Sequence, residues 1–142
     1  MMQHPMRRAL HRLDHARRKR LGPAFTALGL PLGQGQPRIL CELLDGQPLT
    51  QKQLADRCEQ DAAAMSRTLD KMQQAGLVQR LPHPESRRCF LIALTPEGES
   101  TARQVQKLFD DLEKDLCRGF SPDQQEQLLA ALDQMLHNLQ PE

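Results

Sequence analysis

Two helix-start signals lie eleven residues apart, at Thr50 and Asp61, and leave room for only one short helix between them. Thr50 with Gln53 forms a capping box, in which each side chain satisfies a backbone N–H that the helix end would otherwise orphan. It opens a helix over Gln51–Cys58. Asp61 caps a second helix, Ala62–Ala75, which Gly76 ends. Met65, Leu69 and Met72 recur along that helix at helical spacing and mark one inward stripe. Leu77-Val78, the turn Pro82-His83-Pro84-Glu85-Ser86 and the run Cys89–Leu94 follow directly and read as an antiparallel hairpin. Helix, tight turn, helix and hairpin in that order form a winged helix-turn-helix.

The flanking sequence is helical. Met6, Leu10 and Leu13 set a helix over 5–21, which Gly22-Pro23 is expected to kink or end, with a short continuation through Leu28. A turn at 29–33 leads to a helix over 34–45 with Ile39, Leu40, Leu43 and Leu44 inward, and with Pro37 in its first turn, where a missing N–H costs little. Thr95-Pro96 starts a long helix to about Gly119, and Ser121-Pro122 with Gln124 starts a final one to Leu139. The fold class is therefore mostly α with a small β-hairpin wing. A length of 142 residues suits a single domain over 1–142, with the winged lobe at 34–95 and terminal helices at 5–28 and 96–139. Phe, with four copies, is the only aromatic, so the core rests on Leu, Met, Ala, Val and Ile.

Several function classes find no support. No apolar run reaches the roughly 18 residues of a membrane span. The start, MMQHPMRRALHRLDHARRKR, has no apolar segment of a secretory signal, so a cytoplasmic location is expected. Cys41, Cys58, Cys89 and Cys117 form no CxxC pair and are expected as reduced thiols. His11 and His15 have chelating spacing, but only Asp14 stands near them among cationic neighbours, so no metal is expected. No nucleophile–base pair, phosphate loop or paired-carboxylate motif stands out, which argues against an enzyme and against a cofactor.

Charge is where the chain becomes informative. A net charge of +1 hides a partition: residues 1–40 carry eight basic residues against one acid, and residues 96–142 carry four against ten. The second short helix presents Ala62, Ala63, Ser66, Arg67, Asp70 and Lys71 on its outward face. A helix enters a DNA major groove only with a small or polar face. The alanines permit close approach, Ser66 and Arg67 can donate to base edges, and Lys71 is placed for phosphate. An ordinary solvated helix face explains the same residues equally well in isolation. The hairpin tips the balance, because it carries Arg87 and Arg88 at its tip and Arg80 at the opposite base. Arginine on a narrow ribbon suits the minor groove. Side chains alternate along a strand, so one tip arginine aims into the groove, and Arg87 is taken as that residue.

Residues 54–99, LADRCEQDAAAMSRTLDKMQQAGLVQRLPHPESRRCFLIALTPEGE, resemble the MarR family of bacterial transcription regulators. The matching pieces are Leu54-Ala55, Met65-Ser66-Arg67, Gly76-Leu77-Val78-Gln79-Arg80, Arg87-Arg88 and Leu94-Thr95-Pro96-Glu97-Gly98, and the lead-in GLPLGQGQPRILCEL fits as well. One position departs from the pattern: Ser86 stands where the family usually carries an acid before the two arginines, with Glu85 one residue earlier. The resemblance implies a homodimer whose terminal helices pack together and whose wings flank a double-stranded operator. It also implies a repressor released by a small-molecule effector.

The terminal helices support an interface independently. Leu10 and Leu13, then Val105, Phe109, Leu112 and Leu116, then Leu132, Met135, Leu136 and Leu139 offer more apolar surface than a small winged lobe can cover. The basic first segment and acidic last segment would steer these helices together, while Arg17-Arg18-Lys19-Arg20 serves equally well as a phosphate-contacting patch. Two rival readings stay open: a helical interaction or scaffold module without DNA binding, and a thiol-switched regulator. For the latter, Cys89 borders the wing and Cys117 lies beside Lys114 and Arg118.

Overall fold

A computed structural model describes residues 3–33 and 35–141, which fall into two compact units, one ending at Phe109 and the other beginning at Asp110. The first unit contains α1 (Pro5–Ala27), α2 (Gln36–Leu43), β1 (Leu49–Thr50), α3 (Gln51–Arg57), α4 (Ala62–Gln74), β2 (Val78–His83), β3 (Ser86–Leu94) and the beginning of α5 (Pro96–Leu116). The second contains the rest of α5 and α6 (Pro122–Leu139).

The caps place the helix-turn-helix. Thr50 Oγ1 accepts from Gln53 N at 3.1 Å while Gln53 Oε1 accepts from Thr50 N at 2.9 Å, so both halves of the box are made. Asp61 Oδ1 accepts from Ala64 N at 2.7 Å and starts α4. At the other end Gly76 takes φ 77°, which lets Leu77 N donate back to Met72 O at 2.9 Å and turns the chain into β2. Thr95 then fastens α5: its N–H donates to Leu77 O at 3.1 Å and its hydroxyl donates to Gly76 O at 2.5 Å. Gly98 fits there because a Cβ would lie 1.8 Å from Leu77 O.

The core of this unit is one apolar cluster. Ile39, Leu40, Leu54, Met65, Leu69, Met72, Ile92, Ala102 and Val105 are fully buried. The wing belongs to a three-stranded antiparallel sheet of order β1-β3-β2, with Leu49 opposite Ile92 and Arg80 opposite the same Ile92 on the other side. Strand β1 has no counterpart in the sequence reading, because two residues are too short to show a period.

Other expectations need correction. Of the alternatives at Gly22-Pro23, an end is not seen: α1 runs on to Ala27 with Pro23 inside it and Leu28 as its C-cap, matching the expected continuation. Proline's φ is already helical, and Leu21 and Phe25, buried on either side of it, hold the last turns against the core. Leu44 is only partly buried and lies past the end of α2. Residue 34, where that helix was expected to start, lies outside the described residues. Val105, read as a dimer contact, is fully buried within its own chain. Phe109 is half-buried and meets Phe25 edge-on, with centroids 5.6 Å apart, so it too serves the intramolecular core.

The second unit is differently built. Ser121 and Gln124 form a complete capping box, with Ser121 Oγ accepting from Gln124 N at 3.1 Å and Gln124 Oε1 accepting from Ser121 N at 2.8 Å. Yet α6 contains no buried residue. Leu128, Leu129, Leu132, Leu136 and Leu139 are all exposed, and Met135 is half-buried. Leu116 at the end of α5 is exposed and Leu112 is half-buried. In the first unit, α1 repeats the pattern: Met6, Leu10 and Leu13 are exposed, and its buried residues are Leu21 and Phe25.

Candidate nucleic-acid interface

Helix α4 buries Met65, Leu69 and Met72 and turns the opposite side outward. Ala62 and Ala63 are exposed at its first turn, Arg67, Asp70 and Lys71 are exposed further along, and Ser66 is half-buried. The alanines leave a low surface at the end of the helix where a groove would be entered. Arg67 and Lys71 are four apart and so neighbours on one face. Among the described residues no ion pair holds either of them.

The wing rises beside this helix. Strands β2 and β3 pair from Val78↔Leu94 to Pro82↔Phe90, and the ladder then jumps to His83↔Ser86. Arg87, Arg88 and Cys89 therefore stand outside regular pairing, in a bulged stretch of β3. The expectation that strict alternation would send one arginine to each side assumed a regular strand, and the bulge removes that premise. Local bonds shape the tip instead: His83 Nδ1 accepts from Glu85 N at 3.0 Å, and Ser86 Oγ accepts from Arg88 N at 3.3 Å. Ser86, at the position where the resemblance leads one to expect an acid, thus organises the backbone beside the arginines. Both Arg87 and Arg88 are exposed, and among the described residues neither is ion-paired, to Glu85 or to any other acid.

Arg80 departs from its expected place among the open wing cations. Its side chain is 16% exposed, and Nη1 lies 2.8 Å from Asp70 Oδ1 and donates to Gln73 Oε1 at 2.7 Å, while Nη2 reaches Ser66 O at 3.4 Å. All of these acceptors sit on α4. Sequence reasoning missed Asp70 and Gln73 as its partners. The signal available was that Ser66, Asp70 and Gln73 follow the four-and-three spacing of a single helix stripe.

The cysteines divide by burial. Cys58 is buried at the end of α3, and burial pushes its thiol up from the ordinary value of 9.0, with nearby Arg38 opposing. Cys89 is exposed on the bulge, whereas Cys41 and Cys117 are half-buried. Arg118, one of the cations beside Cys117, is itself paired with Asp115. Among the described residues no group of three or more His, Cys, Asp or Glu side chains is placed to hold a metal ion, and no helix is long and apolar enough to cross a membrane.

The model of the MarR family matches residues 32–90. Over those residues the chain is similar to the MarR family. It is 26% identical to the multiple antibiotic resistance protein MarR of Escherichia coli over 138 residues, 96% of this chain and 92% of that one. It is also 26% identical to the uncharacterized HTH-type transcriptional regulator YdgJ of Bacillus subtilis, over 85% of this chain and 73% of that one. Among solved structures, a mutant Escherichia coli MarR complexed with operator DNA matches with a TM-score of 0.75 and 26% identity, over 97% of this chain and 95% of that one. The MepR–DNA complex of S. aureus matches with a TM-score of 0.85 at 22% identity, over 97% of this chain and all of the other, and shows the shared fold. MarR-family proteins are transcription regulators with a winged-helix DNA-binding fold rather than enzymes.

Proposed function

We propose that this chain is a transcription regulator of the MarR type, a homodimeric repressor that reads a palindromic operator with α4 and grips the flanks with its wings. One observation carries the reading: the cations that stand free on α4 and the wing, Arg67, Lys71, Arg87 and Arg88, sit on the two elements that a winged helix offers to duplex DNA. In this reading Arg67 donates to a base edge from a helix whose first turn is low enough to enter the groove, and Lys71 neutralises a phosphate. Ala62, Ala63 and Ser66 form the close-approach surface, and the wing tip supplies Arg87 and Arg88 to the minor groove. The structural relative solved with operator DNA supports the same use of the fold.

Apolar surface left exposed on the single chain supports the dimer. Leu10 and Leu13 on α1 and Leu132, Leu136 and Leu139 on α6 are exposed in the single chain, and a second copy is the covering that also gives a two-fold DNA reader. In this reading the dimer represses by occupying promoter DNA in the cytoplasm. For release by a small-molecule effector, shallow concavities on the single chain include one lined by His11, Arg12, His15, Ala16 and Lys19 and one lined by Asp110, Asp111, Glu113, Lys114, Cys117 and Gln125.

The test is to select bound fragments from genomic DNA with the purified chain and measure their affinity across a salt series. The selected site should be a palindrome, and log K should fall with log salt by about 0.9 for each phosphate neutralised. Binding to no duplex, or binding indifferent to salt, would favour an interaction module without DNA.

A further inference from the structure

We propose that Arg80 is a positioning residue that locks the wing to α4 and holds the two DNA-reading elements at one separation. The inference rests on the DNA-binding reading above and goes beyond it, because Arg80 touches no DNA in this role.

Three features of the site lead there. Arg80 spends its guanidinium on one line of α4, with Asp70 Oδ1 at 2.8 Å, Gln73 Oε1 at 2.7 Å and Ser66 O at 3.4 Å. That line, 66-70-73, runs next to the one formed by Arg67, Lys71 and Gln74, so a single helix docks the wing with one stripe and leaves the adjacent stripe outward. The second feature is level. Arg80 lies opposite Ile92, which is fully buried, whereas the ribbon beyond Pro82↔Phe90 is irregular and exposed. Arg80 thus clamps the ribbon where it leaves the core, below the bulge that carries Arg87 and Arg88. The third is charge. Asp70 is 59% exposed on a face proposed to meet phosphates, and an unpaired carboxylate there would repel them. Arg80 supplies the cancelling charge from the protein's side, which leaves Arg67 and Lys71 uncompensated for DNA. A lysine has the charge but not the planar fork that serves separate acceptors.

The experiment is a set of double-mutant cycles on the full dimer, with operator affinity read by fluorescence anisotropy. Arg80→Met keeps the buried aliphatic stem and removes the fork. In the parent, the double change Arg87→Ala, Arg88→Ala should weaken binding by a measurable factor. In the Arg80→Met background that factor should shrink by roughly threefold or more, as expected for coupled residues. The factor lost on Arg67→Ala should stay the same in both backgrounds, and Arg80→Lys should behave like Arg80→Met. A defect of overall folding lowers the active fraction and leaves both factors unchanged, so that result overturns the proposal, as does full function in Arg80→Lys. Hydrogen exchange of the free protein gives a second readout: Arg80→Met should speed exchange in β2 and β3 and leave α3 unchanged, and equal protection in parent and variant overturns the clamp. A parent that binds no duplex defeats both this proposal and the DNA reading; a parent that binds while the wing's factor is unaltered defeats this one alone.

Discussion

The winged lobe and the terminal helices use the same apolar alphabet to opposite ends. In the lobe, α4 buries each member of its stripe, Met65, Leu69 and Met72, against side chains of its own chain. In α6, five leucines at similar spacing stay exposed and no residue is buried. Helices this short are marginal in water without tertiary packing; α4 has that packing within its chain, and α6 does not. The difference shows that an apolar stripe in sequence specifies a need for burial and says nothing about which chain meets it.

The largest expected effect comes from denying α6 its partner. Leu132→Asp with Leu136→Asp puts two carboxylates on the exposed stripe. Sedimentation equilibrium should then show monomer where the parent shows dimer, and operator binding should fall with it, while the circular dichroism of the lobe persists. An unchanged dimer would mean that the α6 stripe is covered by something other than a second copy.

Next comes the contrast between the two stripes themselves. Leu69 is fully buried, so Leu69→Ala should cost about 2–5 kcal/mol in urea melts. Leu10 and Leu13 are each about half exposed, at 48% and 50%. In the monomeric α6 variant, Leu10→Ala should shift stability by only about 0.5 kcal/mol or less. In the parent it should lower the melting temperature more at low protein concentration than at high, because the dimer supplies the missing burial. A large cost of Leu10→Ala in the monomer would erase the distinction between the two regions.

Within the lobe a finer comparison separates base reading from anchoring. Arg67→Ala should relax the preference at one operator position, by about 1–3 kcal/mol. Lys71→Ala should weaken all sequences alike and reduce the salt slope by about 1. Equal, sequence-blind losses from both would remove Arg67 as a base reader.

What could be read in advance follows the same division. Capping boxes and the glycine stop are local chemistry, so Thr50-Gln53, Asp61, Gly76 and Ser121-Gln124 located the helix ends to within a residue or so. The buried face of α4 was legible because its period is 3.6. The partner of a stripe was not: Val105 looked like an interface residue and proved to be core, and half-buried Phe109 meets Phe25 of its own chain, since such packing is a non-local fact. Arg80 failed for the same reason. Its sequence neighbours carry no acid, and Asp70 reaches it only because the hairpin folds back along α4. Arg87 and Arg88 were legible as exposed wing residues, but not their bulge, because Ser86 Oγ and His83 Nδ1 shape it through bonds that no periodicity announces.

The smallest effect concerns the thiols, and it compares the closed core with the open wing. Cys58 is buried and Cys89 exposed. A thiol-reactive dye should therefore label Cys89 first and Cys58 only as the lobe opens. Burial raises the folded-state value of Cys58 above its ordinary 9.0, so the folded form holds the proton more tightly than the unfolded form. The stability this contributes is complete below about pH 9, and it is lost as pH rises through the unfolded and then the folded value. Urea melts at pH 8 and pH 10 should show a modest decline in the parent, and Cys58→Ala should show less of one. Wing variants such as Cys89→Ser should leave that pH difference untouched. If Cys58 is labelled as fast as Cys89 in the native protein, the core at the end of α3 is not closed, and the contrast between lobe and wing loses its basis there.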